Sequence, residues 1–88
     1  MKYSVEYTEE AVKQLKKFDH PITILIYGWI ERHLSECENP RIHGKPLAGD
    51  KKGYWRYRVG DYRIIAEIQD NALKIIIISA GHRRDVYR

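Results

Sequence analysis

The segment WRYRVGDYRII, residues 55–65, carries the densest grouping of side chains able to do chemistry. If Gly60 and Asp61 form a two-residue hairpin turn, Val59 pairs with Tyr62 and Arg58 with Arg63. Cross-strand partners share a face, and the period of two adds Arg56 to that face. Three guanidinium groups then occupy one sheet surface, and Tyr57, Val59, Tyr62 and Ile64 point to the other. Like charges directly opposite one another destabilise a sheet. A phosphate-rich ligand offsets the repulsion, because the guanidinium fork matches phosphate geometry bidentately. The alternative is that the arginines splay into water, with Glu67 and Asp50 absorbing part of their charge.

The closing segment AGHRRDVYR, residues 80–88, adds His82, Arg83, Arg84, Tyr87 and Arg88. An imidazole titrates near neutrality and can move a proton. A tyrosine can exchange a proton or stack on a base, although a tyrosine at this place can equally be a packed lid. Arg41, His43 and Lys45 form a further basic group, in which His43 could line a groove. His20 and His33 read as structural, one at a helix cap and one on a helix face. No histidine pair has metal-ligand spacing with an acid, no Gly-rich phosphate loop is present, and Cys37 has no base beside it in sequence. No metal or cofactor is therefore expected. Trp29 and Trp55 read as core, and Glu67 with Lys74 as a cross-strand ion pair.

The elements that must position these groups are legible in the patterning. Residues 2–7 alternate, with Tyr3, Val5 and Tyr7 on one side, as in a half-buried strand. Thr8 reads as an N-cap, followed by Glu9 and Glu10 where the helix dipole favours acids. That helix runs to about Phe18, with Ala11, Leu15 and Phe18 on its apolar face. Pro21 suits the first turn of a second helix, whose stripe is Ile22, Ile26, Trp29, Ile30, His33 and Leu34. Asn39-Pro40 stops it near Glu38. Residues 39–53 hold two prolines, three glycines and four basic residues and read as a loop. Three strands follow, over 54–59, 62–69 and 73–79, the last with the run Ile75 to Ile78 as the buried centre of the sheet. A turn at Asp70-Asn71 or Asn71-Ala72 joins the last two. The order β-α-α-β-β-β predicts an α+β fold, a two-helix hairpin on a four-stranded, mainly antiparallel sheet with the first strand at an edge.

The 88 residues fit a single domain, 1–88, with 43% apolar and 11% aromatic residues, a globular composition. No apolar run reaches the roughly 18 residues of a membrane span, and Met1 leads straight into an alternating charged segment, which favours the cytoplasm. One cysteine excludes a disulfide framework and a cysteine-rich zinc module. The net charge of +4 is uneven: residues 1–38 hold five basic and seven acidic residues, and residues 39–88 hold eleven and five. Charge alone leaves two readings, a polyanionic partner or a solvated basic surface.

From the first strand and TEEAVKQLKK, through NPRIHGKPLAG, to WRYRVGDYRII and SAGHRRDVYR, the chain resembles the RelE branch of the RelE/ParE superfamily, small toxins of type II toxin–antitoxin systems. The resemblance implies a ribosome-dependent mRNA endonuclease that cuts the A-site codon and needs no metal. The ribose 2′-hydroxyl attacks the adjacent phosphate, leaving a 2′,3′-cyclic phosphate and a 5′-hydroxyl. The reaction needs a proton acceptor, positive charge on the phosphorane and a donor for the 5′ oxygen.

By position, Arg56 and Arg58 fall where RelE has a pair of lysines, Arg63 on the family's strand arginine, Arg83 on the arginine after the last strand, and Tyr87 on the C-terminal tyrosine that stacks on the substrate base. His82 lies where some relatives have a histidine and others a lysine. Arginine stays protonated, so the base is left between Tyr87 and His82. Lys45, Lys51, Lys52, Arg84 and Arg88 are expected to contact RNA or the ribosome. The implied partners are the ribosome, mRNA and an antitoxin with an acidic C-terminal segment. The alternative on the same fold is a ParE-like, non-catalytic inhibitor of DNA gyrase.

Overall fold

The computed structural model describes residues 1–47 and 53–82. The elements run β1 (Ser4–Tyr7), α1 (Glu9–Lys16), α2 (His20–His33), β2 (Gly44–Pro46), β3 (Tyr54–Val59), β4 (Tyr62–Gln69) and β5 (Lys74–His82). They form a five-stranded sheet in the order β1-β5-β4-β3-β2. β1 pairs with β5 in parallel, and the other pairings are antiparallel. The α+β architecture agrees with the sequence reading, with β2 as an added edge strand inside the expected loop.

Both helices pack on one face of the sheet. Ala11, Leu15, Ile26, Ile30 and Leu34 meet Tyr57, Val59, Ile64, Ala66, Ile75 and Ile77 in one buried cluster. Thr8 caps α1 as expected: its Oγ1 accepts from the Ala11 N–H at 3.1 Å and donates to the Ile78 carbonyl at 3.1 Å. α1 stops at Lys16, and the Leu15 carbonyl is taken up by the Thr23 hydroxyl at 2.9 Å. α2 ends at His33, earlier than the prolyl stop, because the chain turns to serve β1. Glu36 takes a left-handed φ of 59°, its N–H donates to the Tyr3 carbonyl, and the Tyr3 N–H donates to the Cys37 carbonyl.

The hairpin β3–β4 has the expected register, with Val59 opposite Tyr62 and Arg58 opposite Arg63. Gly60 supplies the positive φ of 60° at the first turn position, which a side chain rarely adopts. The next hairpin differs. Its connection is four residues, Asp70 to Leu73, with Leu73 at φ 54°, so Gln69 faces Lys74 and Glu67 faces Ile76. The expected Glu67–Lys74 pair is therefore absent, and Lys74 Nζ bonds Glu6 on β1 at 3.0 Å. Within the isoleucine run, only Ile75 and Ile77 are buried, because the helices cover one face; Ile76 and Ile78 stay partly exposed.

Candidate nucleic-acid interface

The face left bare by the helices carries the cations. The β3–β4 register puts Arg58 and Arg63 side by side, and the β2–β3 register sets Lys45 opposite Arg56. Cross-strand partners share a face, so all four cations stand on the side away from the helices. They line a groove of about 310 Å³ with Ile42, His43 and Gly44. Among the described residues no carboxylate lines it. The expected arginine surface is thus present, and the short strand β2 adds a wall the sequence reading did not supply.

That wall depends on Gly44. A Cβ there would collide with the Arg56 carbonyl oxygen and come within 2.8 Å of Tyr57 Cδ1 and 3.0 Å of Trp55 Cδ1. The approach to β2 is anchored by Tyr57, fully buried, whose hydroxyl donates to the Pro40 carbonyl at 2.7 Å. Burial pushes the Tyr57 phenol far above its ordinary range, so it serves as a fixed donor. Further along, Arg41 makes a bidentate contact to Asp70 at 3.0 and 2.9 Å, and Tyr3 donates to the same carboxylate at 2.6 Å. These donors, Arg41 foremost, hold the Asp70 carboxyl down at about 2. The Arg41 guanidinium also lies 5.7 Å from the centre of the Trp55 ring. Nothing local in the sequence announces this three-way tie, since its members are 29 and 67 positions apart.

His43 stands at the groove and also packs on α2. Its ring lies 5.1 Å from that of His33 and 6.3 Å from Trp29, which in turn lies 5.7 Å from Tyr57. Burial lowers the His43 pKa from its ordinary value, and the neighbouring His33 lowers it further. Burial likewise raises the Cys37 thiol, consistent with a packed rather than a reactive cysteine.

His82 is not brought to the arginines. It pairs with Tyr62, on the helix side of the sheet, and its ring meets Tyr62 edge-on at 5.4 Å; Tyr62 meets Phe18 at 5.1 Å. The cause is a β-bulge beside Ile65 and Ala66, where Ile65 faces Ser79 but Ala66 faces Ile77. The extra residue flips every later side chain of β5 to the opposite face. Arg83, Arg84, Tyr87 and Arg88 in the tail, and Asp50, Lys51 and Lys52 before β3, lie outside the described residues.

A two-helix layer on a mixed five-stranded sheet is a fold this chain shares with solved toxins of toxin–antitoxin systems. The family described as "ParE toxin of type II toxin-antitoxin system, parDE" matches residues 5–87. Toxin RelG of Mycobacterium tuberculosis is 32% identical over 88 residues, covering all of this chain and 99% of that protein. The toxin–antitoxin complex RelBE2 of Mycobacterium tuberculosis superposes with a TM-score of 0.84 at 29% identity, covering 97% of this chain and 95% of that one. The archaeal RelE–RelB complex of Pyrococcus horikoshii shares the fold, with a TM-score of 0.72 at 24% identity over 97% and 99% of the two chains. The chain belongs to the RelE/ParE family of type II toxin–antitoxin toxins.

Proposed function

We propose that this toxin is a metal-independent endoribonuclease that cuts mRNA in the ribosomal A site and so halts translation in the cytoplasm. The observation that supports this most is the groove itself: Lys45, Arg56, Arg58 and Arg63 line it together, and among the described residues no carboxylate does. A strand of RNA brings one negative charge per nucleotide to such a face, and bidentate arginine contacts grip the phosphate on either side of the reacting bond. The same cations stabilise the extra charge of the phosphorane as the 2′ oxygen adds. Arg83 and Tyr87 from the tail complete the site in this reading, Arg83 as a further cation and Tyr87 as a platform for the base. Lys51, Lys52, Arg84 and Arg88 extend the electrostatic footprint toward the ribosome.

An antitoxin is the natural partner, as in the RelBE2 and RelE–RelB complexes to which the chain is similar. Its acidic segment would cover the groove by charge complementarity. The deciding test is to translate a defined message with purified toxin, with and without ribosomes, and to map 5′ ends. New ends within codons that appear only with ribosomes are the expected result. Intact message together with poisoned DNA gyrase in a supercoiling assay would instead assign the ParE-like activity.

A further inference from the structure

We propose that His43 is the proton acceptor of the groove, taking the proton of the attacking ribose 2′-hydroxyl; the assignment rests on the endoribonuclease reading above. The groove is otherwise lined by Lys45, Arg56, Arg58 and Arg63, which carry donors and no acceptor, and by Ile42 and the backbone at Gly44. A 2′-hydroxyl brought against these cations meets electrostatic help for its oxyanion, but none of the four can take its proton. Among the described residues His43 is the lining side chain whose neutral form offers a free ring nitrogen. His82, the other histidine considered for this task, is carried to the opposite face by the bulge in β5.

The surroundings of His43 suit the role. It faces His33 from α2, Lys45 on β2, Arg56 and Arg58 on β3, and Arg63 on β4. All are cationic or able to become so, so none of these described groups stabilises an imidazolium. Burial and His33 lower its pKa, so the ring is unprotonated at neutral pH and ready to accept. Contact with His33 and Trp29 on the helix side fixes the ring at the groove wall. In the step itself the 2′ oxygen bonds to phosphorus as its proton passes to His43. The bond from phosphorus to the 5′ oxygen breaks, and that oxygen takes a proton from water. Imidazolium then returns its proton to solvent. The incoming phosphate steadies the imidazolium while it exists.

The test is single-turnover cleavage of ribosome-bound message from about pH 5.5 to about pH 8, on the wild type, His43→Gln and His33→Gln. The wild-type rate should fall on the acid side through a pKa below the ordinary histidine value. His43→Gln should lose about 100-fold or more in rate at neutral pH, lose the acid limb, and keep its affinity for programmed ribosomes within about threefold. His33→Gln removes the like charge and should move the acid limb to higher pH. A His43→Gln enzyme that retains rate and acid limb overturns the assignment, while the endoribonuclease reading stands. If that variant does not fold, an unmoved limb in His33→Gln overturns it. A wild type that cuts nothing on ribosomes removes the underlying reading instead, so the two failures are distinct.

Discussion

Replacing Gly44 with alanine should dismantle the groove wall, and the structure sets the size of the effect. The new Cβ would fall on the Arg56 carbonyl oxygen, with Tyr57 Cδ1 and Trp55 Cδ1 at 2.8 and 3.0 Å. A carbonyl of the paired strand cannot rotate away, and Tyr57 is fully buried and tied to Pro40. The strain must be relieved by β2, an edge strand of three residues. A carbon next to a carbonyl oxygen usually stays beyond about 3.3 Å, so β2 must retreat by about 1 Å. That displacement breaks about two ladder bonds at about 1 kcal/mol each, a loss of about 2 kcal/mol, which is also the usual cost of overpacking. For a domain of this size, the melting temperature should drop by about 8 to 16 °C.

The assay is a thermal melt together with amide exchange of residues 44–46, with Gly60→Ala as comparison. Gly60 has a positive φ of 60° and open space around its Cβ position, so its substitution reports backbone strain alone, about 1 kcal/mol. Gly44→Ala should combine a larger melting shift with fast exchange confined to β2 and with weakened RNA binding, since His43 and Lys45 flank it. A Gly44→Ala protein that melts within about 2 °C of wild type, with β2 still protected, would refute the steric reasoning.

Tyr57→Phe should cost about 1 to 2 kcal/mol in a urea titration with unchanged m, because the buried Pro40 carbonyl loses its donor. Asp70→Asn should remove an acid-sensitive part of the stability. The Asp70 carboxyl falls from the ordinary 3.8 to about 2 on folding, so its contribution is present above about pH 4 and lost as pH falls toward 2. The side chain is 54% exposed, which keeps the effect under about 1 kcal/mol, and the wild-type and variant curves should converge at the acid end. Arg58→Ala and Arg63→Ala should each weaken RNA binding and reduce the slope of log affinity against log salt by about 0.7, read by fluorescence anisotropy across a salt series.

The parts of this molecule legible in its sequence are those fixed by local chemistry. The hairpin β3–β4 follows from the alternation of residues 55–59 and 62–64 about Gly60-Asp61, and the arginine face follows from the same alternation. Thr8 announces its cap through a hydroxyl placed before two acids. What escaped was set by partners distant in sequence. β2 has a glycine, a lysine and a proline and no strand pattern; it exists because β3 offers an edge to bond to. Leu73 adopts a left-handed φ that its side chain does not favour, and this moved the second hairpin by enough to part Glu67 from Lys74. The bulge in β5 has no signature inside a run of isoleucines, yet that one residue decides that His82 faces Tyr62 rather than Arg63.

This architecture also separates the requirements of folding from those of the groove. With both helices on one side, the period of two assigns alternate residues of β3 and β4 to different tasks. Tyr57, Val59 and Ile64 are closed in the core, while Arg56, Arg58 and Arg63 stand on the bare face. A sheet covered on both faces would have to bury those cations, at a desolvation cost no ion pair there could offset. Arg58 is exposed on this face, so water and salt screen its charge against that of Arg63 across the ladder. It becomes an asset when a polyanion arrives and releases that screening. Lys45, Arg56, Arg58 and Arg63 are therefore carried where they strain the fold least, on the face that the proposed function gives to a polyanion.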